Sequence, residues 1–71
     1  MNLELIQIRL NELQKQHGMS QIELAHKLNV HRNSVNGWMK GYRAPDTDTV
    51  IKLSKLFNVS ADYILGLSNK K

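Results

Sequence analysis

Between Gln21 and Arg43 the 71-residue chain gathers side chains suited to grip a nucleic acid. His31, Arg32, Asn33, Ser34 and Asn36 are candidates for reading base edges. An arginine fork bonds guanine through O6 and N7, an asparagine amide bonds adenine through N6 and N7, and a serine hydroxyl bonds either. Gln21, Lys40, Tyr42 and Arg43 carry donors or charge suited to the sugar-phosphate backbone, which fixes position without reading sequence. No acidic residue falls between Glu23 and Asp46, so a segment holding Lys27, Arg32, Lys40 and Arg43 is locally cationic in a chain of net charge +4. A cationic run is equally a solvated face. It acquires meaning only if the folded elements present these groups together.

Five helix signals supply those elements, and strand signals are poor. The first helix is expected over 3–17, with Leu3, Ile6, Leu10 and Leu13 on its buried face and Gly18 ending it. Ser20-Gln21-Ile22-Glu23 is a capping box, flanked by Met19 and Leu24 in staple positions. Leu24, Ala25 and Leu28 face inward, and Asn29 suits a left-handed turn. A third helix over 31–40 buries Val35, Trp38 and Met39 and stops at Gly41. The fourth begins at Asp46 or Thr47, with the stripe Val50, Leu53, Leu56 and Phe57, and the fifth runs from Ser60 to Gly66. The second and third helices, joined by a turn of three or four residues with Val30 in the corner, make a helix-turn-helix. That unit leaves the start of the third helix free to enter a major groove.

Composition narrows the alternatives. The length permits a single domain, with a core over about residues 3–66 and a flexible tail at 67–71. The chain has no cysteine, its three histidines lack metal-ligand spacing, and no cofactor motif is present, so neither metal nor cofactor is expected. No apolar run reaches the roughly 20 residues of a membrane span, and the N-terminus lacks the basic start of a signal peptide. Ser, His and Asp occur without the spacing of a catalytic triad, and so small a domain has little room for a deep ligand pocket, so no enzymatic activity is expected.

Residues 6–66 resemble the Cro- and lambda-repressor-like family of phage and bacterial regulators. Gly18-Met19-Ser20-Gln21, Gly41-Tyr42-Arg43-Ala44-Pro45 and Asn58-Val59-Ser60-Ala61-Asp62-Tyr63 occur in the family's order and spacing. The resemblance implies an all-α, compact five-helix domain that binds double-stranded DNA. It further implies a cytoplasmic, nucleoid-associated transcriptional regulator, a Cro-like repressor acting as a homodimer on an inverted-repeat operator. By matched position, Gln21 would contact a phosphate, Arg32 and Asn33 would reach bases, and Lys40, Tyr42 and Arg43 would hold the backbone.

Four features depart from that pattern. His31 stands where the family places Ser or Thr as a helix cap, and is either a cationic group near phosphate or a tolerated surface residue. Gly37 replaces a polar reading residue, which either permits close approach to the duplex or leaves fewer bases read. An Arg–Glu pair common in relatives is replaced by Gln14 and Met39, so no charge is stranded. Met1, Leu5 and Ile8 form a second apolar stripe on the first helix, explained either by a partner chain or by packing of the C-terminal tail. This stripe sustains a second reading, a modulator of the antirepressor or antitoxin kind that engages a partner repressor or toxin.

Overall fold

Each capping residue that precedes an apolar stripe starts a helix in the computed structural model of the chain, which describes residues 2–71. Among these residues the elements are five helices: α1 (Leu3–Gln16), α2 (Gln21–Leu28), α3 (Arg32–Met39), α4 (Thr47–Phe57) and α5 (Ala61–Leu65). Asn2, Ser20, Asp46 and Ser60 accept from the backbone N–H three residues on, at 3.0, 3.1, 2.8 and 3.0 Å. His31 does the same work for α3 through Nδ1, which accepts from the Asn33 N–H at 3.0 Å. At the far ends Asn29 and Asn58 take left-handed conformations with φ of 56°. The Val30 N–H then bonds back to the Ala25 carbonyl and the Val59 N–H to that of Ser54, both at 3.0 Å. These bonds satisfy carbonyls that a helix end would otherwise leave unpaired.

The apolar faces meet in one core. Ile6, Leu10 and Leu13 pack with Leu24, Ala25 and Leu28, with Val35, Trp38 and Met39, and with Leu53, Phe57, Tyr63 and Ile64. In this core α3 rests against α1 on one side and α2 on the other, α2 also touches α4, and α5 joins α4 to α1. Val30 is half-buried at the corner of the helix pair, as its place in the turn requires. Trp38 is core and not a stacking platform.

Three details differ from the sequence reading. Leu3 is 38% exposed, because it stands a turn ahead of Ile6, the first packed residue of its stripe. Arg9 is buried on that same side of α1, with its guanidinium carbon 4.2 Å from the centre of the Tyr63 ring. It donates to the Tyr63 carbonyl, to the Ser68 carbonyl at 2.7 Å and to Asn69 Oδ1 at 2.9 Å. Residues 67–71, expected to be a flexible tail, are consequently strapped down. Ser60 completes the strap, its N–H donating to the Lys71 carbonyl at 3.1 Å and its hydroxyl to that of Lys70 at 3.2 Å. The anchor consists mostly of backbone carbonyls, which residue types do not reveal.

Candidate nucleic-acid interface

The exposed surface of α3 is fixed by polar contacts at both ends as well as by its buried face. At its start, the His31 cap needs an unprotonated Nδ1, so the ring serves as an acceptor toward the helix and has Nε2–H free to donate outward. This is a third role, beyond the cationic and merely tolerated ones. In the middle, Asn36 Nδ2 donates to Gln21 Oε1 at 3.2 Å, linking α3 to the first turn of α2. At its end, Asn11 of α1 donates through Nδ2 to the Met39 carbonyl at 3.0 Å and to its own helix at Gln7 at 2.8 Å. Gln14 instead donates to the Met19 carbonyl at 2.9 Å and braces the turn between α1 and α2.

With α3 so held, His31, Arg32 and Asn33 are exposed at its N-terminal end. Ser34 and Asn36 are half-buried, and the Asn36 amide is engaged by Gln21, itself half-buried. Lys40, Tyr42 and Arg43 are exposed just past the C-terminal end, Tyr42 at 74%. Eight residues of helix span about 12 Å, close to the width of a B-DNA major groove, about 12 Å. The surface holds guanidinium and amide groups at one end and two cations with a phenol at the other. No acidic residue lies within α3 to oppose phosphate.

The glycine at 37 has a neighbour that its sequence position does not announce. A Cβ built there would lie 2.7 Å from Arg43 Nε and 3.3 Å from its Cγ, so the arginine stem rests on the bare Cα of α3. The other unexplained feature, the second stripe on α1, is covered in part and open in part, with Leu5 and Ile8 lining one hollow. Leu5 is half-buried against the end of α5, its Cδ2 2.7 Å from where a Cβ on Gly66 would stand. Ile8 is 45% exposed, and Met1 lies outside the described residues. Sequence reasoning missed Arg9, Asn11 and the Arg43–Gly37 contact. Arg9 and Asn11 meet carbonyls far along the chain and Arg43 meets Gly37 across a turn, and no periodicity marks any of them.

Among the described residues no group of three or more His, Cys, Asp or Glu is placed to hold a metal ion. No helix among them is long and apolar enough to cross a membrane.

Residues 10–64 match the helix-turn-helix family. The chain belongs to that family. Over 58 residues it is 50% identical to the HTH-type transcriptional regulator ImmR of Bacillus subtilis (strain 168), a match covering 82% of this chain and 46% of that protein. The HTH-type transcriptional regulator AnsR of the same organism is 32% identical over 71 residues, covering all of this chain and 58% of AnsR. The crystal structure of a transcriptional regulator from Listeria innocua superposes with a TM-score of 0.83 at 30% identity, over 93% of this chain and 62% of that one. The chain thus spans about half the length of the curated relatives it matches. The all-α, five-helix fold of the helix-turn-helix family is the one its capping and periodicity predict.

Proposed function

We propose that this chain is the DNA-binding part of a transcriptional regulator, reading duplex sequence with the first turn of α3. The observation that carries this reading is the exposure of Arg32 and Asn33 on a helix whose opposite face is locked into the core by Val35, Trp38 and Met39. Arg32 and Asn33 read base edges, assisted by His31 through its outward Nε2 and by Ser34. Asn36 holds Gln21 in place for a phosphate while adding its own free carbonyl oxygen. Lys40 and Tyr42 grip the backbone on the far side. The names of the relatives, all regulators, agree with this assignment and with the absence of any expected enzymatic activity.

The finer reading is a cytoplasmic Cro-like repressor that binds an inverted repeat as a homodimer. Two-fold assembly places half-sites about one helical turn apart and doubles the contacts that one small domain makes. Exposed Ile51 beside a hollow of about 130 Å³ lined by Pro45, Thr47, Val50, Ala61 and Leu65 offers apolar surface apart from the DNA-reading residues. The modulator reading retains the exposed Ile8, but two features argue against it. Leu5 is packed against Gly66, and the absence of a side chain at Gly37 is matched by Arg43.

Selection from a random duplex library with the purified chain tests the proposal. Enrichment of a palindrome supports the regulator and its symmetry. Enrichment only when a second protein is added supports the modulator. On the enriched duplex, Arg32→Ala should cost about 1–3 kcal/mol and relax preference at one position. Lys40→Ala should weaken binding to all sequences alike and lower the salt slope by about one. Equal losses on enriched and random duplex for Arg32→Ala would contradict its role.

A further inference from the structure

The resemblance assigns Arg43 to the sugar-phosphate backbone, but its placement points elsewhere. The turn after α3 brings it there. Gly41 has a φ of 76°, its N–H bonds to the Trp38 carbonyl at 3.2 Å, and the Tyr42 N–H reaches back to the Gly37 carbonyl at 2.9 Å. This pair of bonds reverses the chain over the last turn of α3. Arg43 therefore extends back along the helix, with Cγ, Cδ and Nε all within 3.5 Å of the Cβ position that Gly37 leaves empty. Any side chain at 37 would occupy the arginine's track. Position 37 is one turn beyond the exposed Asn33 and one turn before the exposed Lys40, on the same strip of α3. The guanidinium is thereby laid on the recognition surface itself.

We propose that Arg43 is a sequence-reading residue, delivered from the loop to the place on α3 that a side chain at 37 would otherwise fill. Gly37 is its positioning residue. The planar fork matches phosphate and a guanine edge alike; what favours the guanine, with its paired O6 and N7 acceptors, is the stem's place on α3 between Asn33 and Lys40. This inference rests on the DNA-binding reading above and names a determinant within it.

The test uses the duplex that the wild-type chain enriches and a random-sequence duplex of equal length. Arg43→Ala should weaken binding to the enriched duplex about ten- to a hundredfold, and at least ten times more than binding to the random one. Arg43→Lys keeps the charge but not the fork, and should not rescue. Gly37→Ala should melt at a higher temperature than wild type, since alanine suits a helix better. It should nonetheless lose preference for the enriched duplex, and lose nothing further once Arg43 is already alanine. Rescue by lysine, equal losses on both duplexes, or a Gly37→Ala defect that persists without Arg43 would each overturn the proposal. A wild-type chain that enriches no duplex refutes the DNA-binding reading itself and this inference with it. The other outcomes refute the inference alone.

Discussion

Replacing Arg9 with methionine should destabilise the domain severely without touching the surface proposed to bind DNA. Methionine keeps an apolar stem beneath Tyr63 and removes three donated hydrogen bonds and a cation 4.2 Å from the ring centre. A hydrogen bond from a charged group contributes about 1.5–3 kcal/mol when its acceptor is left without a substitute. The Ser68 and Asn69 oxygens are only part-buried, so water replaces much of what they lose. The buried bond to the Tyr63 carbonyl counts more nearly in full. The cation over the ring adds about 0.5–2 kcal/mol, and removing a desolvated charge returns part of the total. The expected loss is about 2–4 kcal/mol, a large share of the roughly 4–10 kcal/mol that holds a domain of this size. The melting temperature should fall by about 10–30 °C. Urea unfolding followed by the fluorescence of Trp38, the single tryptophan, measures it directly. Deleting residues 68–71 removes two of the three acceptors, so Arg9→Met should cost clearly less in the truncated chain. A full-length variant within about 1 kcal/mol of wild type, or strict additivity with the deletion, would refute the strap.

Two further changes probe the helix starts. The Thr49 hydroxyl and then its backbone N–H hold the Asp46 carboxyl below its ordinary value; desolvation opposes them, and the charge of Lys52 adds a smaller pull downward. A carboxyl lowered in the folded state contributes stability above the unfolded value of about 3.9, lost as pH falls through the lower folded one. Asp46→Asn keeps a capping oxygen and removes the charge, so its urea midpoint should fall less between neutral and acid pH than that of wild type. An unchanged acid slope would sink this assignment. His31→Ser should stabilise α3 by up to about 1 kcal/mol, because a hydroxyl caps better than an imidazole. If the outward Nε2 meets the duplex, the same variant binds its enriched site less well despite melting higher. Loss of stability would show that the imidazole cap matters more than its chemistry suggests.

The division between what was legible and what was not follows the range of the interactions. The helices were readable because their signals are local: Ser20 and Ser60 before apolar runs, Gly18, Gly41 and Gly66 after them, and Leu24, Val35 and Trp38 at helical spacing. Arg32 and Asn33 were readable as exposed because the buried positions of α3 leave its first turn no other direction. Arg9 was not, since it interrupts the stripe Ile6, Leu10, Leu13 with a charge, and its partners are carbonyls 54 and 59 residues away. Gly37 posed two alternatives that sequence could not separate, because the group that explains it, Arg43, arrives from a turn whose path depends on Gly41.

The same distinction bears on how α3 keeps its angle without the ion pair that the resembling family uses. Losing one partner of such a pair would strand a charge, whereas changing both need cost little. Here Met39 is buried as an apolar residue, and its carbonyl receives the Asn11 amide. Gln14 turns away to the Met19 carbonyl. The clamp is rebuilt from neutral amides on backbone oxygens, one at the end of α3 and one ahead of α2. Neutral groups are insensitive to salt where an exposed ion pair is screened. Any salt dependence of DNA affinity in this chain should therefore report phosphate contacts by residues such as Lys40, and not loosening of the helix that reads the bases.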